Sequence, residues 1–206
     1  MSEALGSFAA AKDAIAAHIV PGARRIVAIC GAPGSGKSTF AEQLSEAIEG
    51  SAVLPMDGFH LDNDVLQERG RLHRKGAPDT FDTAGLLDVL MRVKARQPTA
   101  VPTFDRTNDC VVPQGAFIGA QEKLVLVEGN YLLLDQPGWA ELAPIWDVTV
   151  ALEVPEAELE RRLIARWMHY GQSRADATAR ANENDLPNAR VILQNSAPAM
   201  LRVRNW

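Results

Sequence analysis

Residues 31–39, Gly31-Ala32-Pro33-Gly34-Ser35-Gly36-Lys37-Ser38-Thr39, hold the G-x-x-x-x-G-K-[ST] spacing. Anion chemistry accounts for each part. Glycines let the backbone fold tightly enough for its N–H groups to converge on phosphate oxygens. A helix starting at Lys37 turns its positive end toward the same anion. Lys37 would reach the β- and γ-phosphates, and the Ser38 hydroxyl would bind Mg²⁺. A Gly-rich turn could match by chance. Here, though, the motif lies between an apolar run at 24–30 and a helical pattern from residue 37, the setting that the chemistry needs. ATP or GTP is the expected ligand.

Two carboxylates are placed to work beside this cradle. Asp57 follows Val53, Leu54 and Met56, and Glu128 ends the apolar run 124–127. Ligands of open parallel sheets bind at the carboxyl ends of strands. Gly31, Asp57 and Glu128 each follow such a run, so they should share one edge. There Asp57 could take a proton from an attacking hydroxyl and help hold Mg²⁺, with Glu128 a second carboxylate for the metal. Asp57-Gly58 is also a common turn pair; the shared edge favours catalysis. Phe59 would wall the acceptor pocket beside His60. His60 and His73 lack a recurring ligand spacing, so a histidine metal site is not indicated.

Cations come from two further stretches. Between Pro155 and Gly171 a helix carries Arg162 and Arg166 four apart; Arg174 stands at the hinge before a second helix, which Ser173 and Asp176 open with a capping box. Two short arginine-bearing helices suit a lid that closes on the transferring phosphate, with Arg174 on the nucleotide; a solvated face is the alternative for any one arginine. The loop 69–82, with Arg69, Arg71, Arg74 and Lys75, could steer an anionic substrate or simply be solvated.

The elements that must position these groups read as α/β. Of 206 residues, 47% are hydrophobic and 23% charged, enough for a core in one domain spanning 1–206. Apolar runs near 24–30, 51–56, 123–129 and 146–154 alternate with amphipathic helices at 3–19, 37–49, 83–97 and 155–171, and "ARVILQN" (189–195) reads as a fifth strand. That alternation implies a parallel sheet covered on both faces. A net charge of −5 opposes a broad nucleic-acid-binding surface. Two cysteines in unrelated contexts make no disulfide framework. No stretch reads as a leader or a membrane span, so the chain is expected in the cytoplasm without a nucleic-acid or membrane partner; the hydroxyl that Asp57 would deprotonate makes a small hydroxyl compound the expected partner.

Nucleotide binding alone leaves two classes: a small-molecule kinase, or a switch, motor or transport ATPase. Neither an N/T-K-x-D stretch nor an L-S-G-G-Q-like stretch is present, and run 124–127 ends in Glu128 rather than the Walker-B Asp. These features lean toward a kinase.

In order and spacing, the P-loop, Asp57, "VPTFDRTND" (101–109), "VLVEGNYLL" (125–133) and "RRLIARW" (161–167) resemble the phosphoribulokinase/uridine kinase family of P-loop kinases, over residues 24–195. The resemblance implies a three-layer P-loop fold whose five-stranded parallel sheet has order 2-3-1-4-5. It implies a substrate-binding insertion at 58–120, a lid at 155–185, and ATP with Mg²⁺. It also implies Asp57 as base, Glu128 at the metal, and Arg162 and Arg166 on the phosphates. "KGAP" (75–78) stands where uridine kinases have F-D-H-P, and Phe104 replaces their base-reading Tyr. "MDGFH" and "RKGAPDTFD" look more like bacterial pantothenate kinase. The whole motif set is similar to a bacterial subgroup described as nucleoside/nucleotide kinase-like or as fructose-transport-system kinases. Candidate substrate contacts are thus Asp57, Phe59, His60, Lys75, Phe104, Asp105 and Glu128, and the acceptor is a sugar such as fructose, a nucleoside or a pantothenate-type alcohol.

Overall fold

The computed structural model describes residues 4–206. In chain order its strands are β1 (Arg25–Gly31), β2 (Ser51–Pro55), β3 (Thr99–Asp105), β4 (Cys110–Ile118), β5 (Leu124–Gly129), β6 (Val148–Glu153) and β7 (Leu201–Arg204). Five of them make one parallel sheet in the order β2-β5-β1-β6-β7. Counting only its own strands, that is the expected 2-3-1-4-5.

The helices are α1 (Phe8–Ala16), α2 (Lys37–Ala47), α3 (Asn63–Glu68), α4 (Thr83–Lys94), α5 (Glu156–His169), α6 (Arg174–Arg180) and α7 (Leu186–Asn195). The expected first helix, 3–19, is thus shorter, and its residue 3 lies outside the described residues. Strand pleating sends alternate side chains to opposite faces. Ile26, Ala28 and Cys30 of β1 enter one core with Leu86, Leu90 and Val93 of α4. Val27 and Ile29 enter the other with Ala11 and Ile15 of α1 and Phe40 and Leu44 of α2. Three layers result, with β1 and β5 buried on both faces.

The fifth strand is not where the sequence suggested. "ARVILQN" lies in α7, where Leu186, Ala189 and Ile192 are buried at three-residue intervals. Alternation would also have to bury Leu193, which is 59% exposed. The true fifth strand, Leu-Arg-Val-Arg, is an edge strand that tolerates polar side chains; its Arg202 pairs with Glu153 of β6.

Two attachments place the site. Between β2 and β5 the antiparallel hairpin β3–β4 stands outside the main sheet, with Asp105 opposite Cys110 at its turn. Beyond β6, α5 and the turn at 181–185 bury Leu159, Leu163 and Ala181 in a small third core with Ala32 of the cradle and Leu186 and Ala189 of α7.

Candidate active site

The cradle spans the gap from the end of β1 at Gly31 to the start of α2 at Lys37. Gly34 and Gly36 have φ of 81° and 83°, the left-handed region that side chains disfavour. A Cβ on Gly34 would stand 3.2 Å from Leu163 Cγ, so α5 lies directly over the loop. The α2 ladder opens with Phe40 N–H donating to Gly36 O at 3.0 Å. The preceding amides of Lys37, Ser38 and Thr39 are those that helix geometry leaves for an anion. Lys37 is buried and donates from Nζ to Ala32 O at 3.1 Å. Burial lowers its pKa, and the Glu128 carboxylate opposes that. Inside the loop the Ser35 hydroxyl is buried with no partner among the described residues. Pro33 is buried, and Ser38 and Thr39 are exposed.

Both carboxylates reach the same edge. Glu128 lies in register with Ile29 of β1 and Pro55 of β2, and its Oε1 accepts from Ser38 Oγ at 3.1 Å. It is 5% exposed. Burial raises its pKa, and Lys37 opposes the shift. Asp57 sits in the 3₁₀ turn Met56–Phe59 after β2. Ser38 Oγ, Glu128 and Asp57 form an oxygen-only set. Among the described residues no cluster of three His, Cys, Asp or Glu could hold a metal. A sparse set suits Mg²⁺, which takes one or two carboxylates and completes its shell with phosphate oxygens and water.

Around His60 and the hairpin the structure divides the expected substrate contacts. The His60 ring packs against Phe81 and Phe104, at 4.1 and 4.7 Å between centroids. Phe104 helps line a hollow of about 240 Å³ with Leu61, Asn63, Lys75, Asp109 and Val111. Lys75 is less available than its position suggests. Its ammonium donates to Asn63 Oδ1 and Asp109 O and pairs with Asp109 Oδ1, at 2.7, 2.9 and 3.0 Å. Asp105 is also committed elsewhere, accepting from Thr107 N, Asn108 N and Asn108 Nδ2 to shape the hairpin turn. Phe59 is 5% exposed and packs in the core, and with Gly58 and His60 it also lines a second hollow of about 420 Å³.

The arginines of α5 and α6 separate too. Arg162 donates to Glu158 Oε1, Gly34 O and Asn205 O, which makes it a strut between α5, the cradle and the chain beyond β7. Arg166 lies over the rings of Trp167 and Tyr170, and its charge acts on Lys37. Arg174 is exposed, and no hydrogen bond ties its side chain to the cradle among the described residues.

Three contributors escape a reading of the sequence. Arg106 Nη2 meets Asp57 Oδ2 at 2.5 Å; its signal was a lone cation inside "VPTFDRTND". Asn205 Nδ2 donates to Ser35 O at 2.6 Å across a separation of 170 residues, for which the sequence carries no signal. Asp185 accepts from Trp167 Nε1 at 2.6 Å. Its carboxyl is raised by burial against the nearby charges of Arg166 and Arg180.

A family model described as an AAA domain matches residues 27–184. The chain belongs to this family of P-loop domains. Protein YggC of Escherichia coli strain K12 is 39% identical over 189 residues, which are 89% of this chain and 78% of that one. The pantothenate kinase of Cutibacterium acnes is 30% identical over 72% of this chain but only 49% of its own length, so the chain spans about half of that relative. A solved structure from Silicibacter sp. TM1040, provisionally named a fructose transport system kinase, superposes with a TM-score of 0.91. It shares 44% identity, with 95% of this chain and 98% of that one covered. The kinase resemblance and the three-layer parallel fold read from the sequence agree with these relatives. Among the described residues, no helix is long and apolar enough to cross a membrane.

Proposed function

We propose that the protein is a kinase that moves the γ-phosphate of MgATP to a hydroxyl of a small metabolite. One observation carries the reading: the cradle, Asp57 and Glu128 meet at one edge of the sheet, with the β3–β4 hairpin reaching Asp57 through Arg106. The 44% identical neighbour favours a sugar or sugar-like polyol as acceptor; the pantothenate kinase relatives point to an alternative hydroxyl compound. Cytoplasmic ATP would supply the donor.

In this reading the acceptor oxygen attacks the γ-phosphorus, the bond to the bridging β-oxygen breaks, and ADP leaves. Asp57 takes the hydroxyl proton as the new bond forms. The transition state is loose, so alignment counts for more than basicity. Lys37, the α2 amides and Arg166 balance charge on the transferring oxygens. Mg²⁺, held by Ser38 Oγ with Glu128 and Asp57 near it, would offset the charge shared by the β- and γ-phosphates. Leu163 over Gly34 helps keep water from the loop.

The test is Asp57→Asn, assayed by ADP release over a panel of sugars, nucleosides and pantothenate-like alcohols. Turnover of the accepted compound should fall roughly 10²- to 10⁴-fold, with ATP affinity largely kept. Parent-level transfer by a folded Asp57→Asn would reduce Asp57 to a turn residue. ADP release that needs no acceptor would make the protein an ATPase.

A further inference from the structure

The acceptor side of the site holds several cations, and contacts with the protein itself occupy most of them. Arg71 pairs with Asp79 at 2.7 Å. Arg74 donates to Glu183 O and to Asn188 Oδ1. All three donors of Lys75 have partners, Asn63 and Asp109. These contacts fasten the 69–82 loop to the hairpin and to the start of α7, and leave little charge for a ligand.

Arg106 differs. It stands on the turn between β3 and β4, its side chain is 46% exposed, and its one protein partner among the described residues is Asp57. A guanidinium has five N–H donors in a planar fork, so most of this one is unspent. Its position is the acceptor's side of the reaction. Its charge acts on Glu128 and His60, whereas the guanidinium acting on the cradle lysine is that of Arg166. The Asp105-capped turn presents Arg106, and Gly58 seats the hairpin: a Cβ there would meet Pro102 O at 2.2 Å. The cation is therefore held beside the proposed base by backbone packing on both sides.

We infer that Arg106 reads an anionic group on the acceptor, so that the substrate is a small hydroxyl compound carrying a carboxylate or a phosphate ester. This rests on the kinase reading above and narrows its acceptor. A planar fork binds either group through paired N–H donors. With one Nη2 contact on Asp57 Oδ2, Arg106 also leaves Asp57 Oδ1 open toward a hydroxyl. One residue thereby sets the distance between the acceptor's anion and the hydroxyl that reacts.

The experiment uses acceptor pairs that differ only in the anion: glycerate with glycerol, and fructose 6-phosphate with fructose. Transfer is assayed with wild type, Arg106→Gln and Arg106→Lys. Binding of each compound is measured separately by calorimetry, with the cradle filled by a non-hydrolysable ATP analogue and Mg²⁺. At least one anionic member should bind and surpass its neutral twin, and Arg106→Gln should cut its affinity and the anionic-to-neutral ratio of kcat/KM by roughly 10²-fold. Arg106→Lys, a point charge without the fork, should restore only part of that. Which pair responds separates carboxylate from phosphate. The inference is overturned if no anion binds in an Arg106-dependent way, if neutral twins are preferred, or if Arg106→Gln lowers both members equally through kcat. Arg106-dependent anion binding with no phosphoryl transfer to any acceptor would instead sink the kinase reading and leave the anion site standing.

Discussion

His60 shows how much one side chain can report. Its Nδ1 lies 2.8 Å from Asp57 O. A carbonyl oxygen only accepts, so Nδ1 carries the hydrogen and Nε2 keeps its lone pair. Burial lowers the pKa of this ring below 6.5, against the raising effect of Asp57. The folded protein thus resists protonation that the unfolded chain accepts. This contribution to stability is complete above pH 6.5 and is lost as pH falls through the folded pKa. Thermal melting from pH 8 to 5 should therefore show wild type losing Tm more steeply than His60→Gln below pH 6.5. Parallel curves would mean that His60 titrates alike in both states.

Among the elements, the hairpin β3–β4 and the turn after β2 stand or fall together. Pro102 O lies 2.2 Å from where a Cβ on Gly58 would sit, and a backbone oxygen cannot swing aside as a side chain would. Gly58→Ala should push the hairpin off the turn and carry Arg106 away from Asp57. Overpacking of this kind costs about 1–3 kcal/mol, several degrees of Tm at this chain length. The acceptor KM should rise more than the Kd for ATP, since Arg106 is carried by the hairpin and the cradle by β1 and α2. An unchanged Tm and acceptor KM would show that the hairpin adjusts freely. Lys75 offers a contrast: Lys75→Met should lower Tm by releasing Asn63 and Asp109, with little change in the preference between anionic and neutral acceptors.

Across the whole molecule, the last strand closes on the first loop. Asn205 N–H donates to Glu153 O, its side chain holds Ser35 O, and Arg162 reaches both Asn205 O and Gly34 O. The chain past β7 and the helix α5 thus grip the cradle from two sides. Asn205→Ala should leave Ser35 O without this partner, at a cost of about 1 kcal/mol, and weaken ATP binding roughly 5- to 10-fold by the same arithmetic. Direct titration with ATP checks it, and an unaltered Kd would make the contact incidental to the nucleotide.

What is local and periodic is legible in the residues alone. The cradle, Asp57 and Glu128 were legible because each follows an apolar run, and strand direction then places them on one edge. The helices α5 and α6 were legible from their caps; the Ser173 hydroxyl does accept from Asp176 N at 3.2 Å. Two expectations gave way to longer-range packing. Residues 189–195 became helix because the third core buries Leu186 and Ala189 while the core shared with α4 buries Ile192, and Leu201–Arg204 became a strand because β6 offered an open edge. Which charges stay free depends on contacts between distant segments. Lys75, Asp105 and Arg162 carry the right chemistry in the sequence, yet each is engaged by neighbours that folding brings near. Arg106 keeps most of its donors open beside Asp57, 49 residues away along the chain. Residue type fixes what a side chain can donate or accept, whereas the partners that use up its capacity come from distant segments, and their identity exists only once the chain has folded.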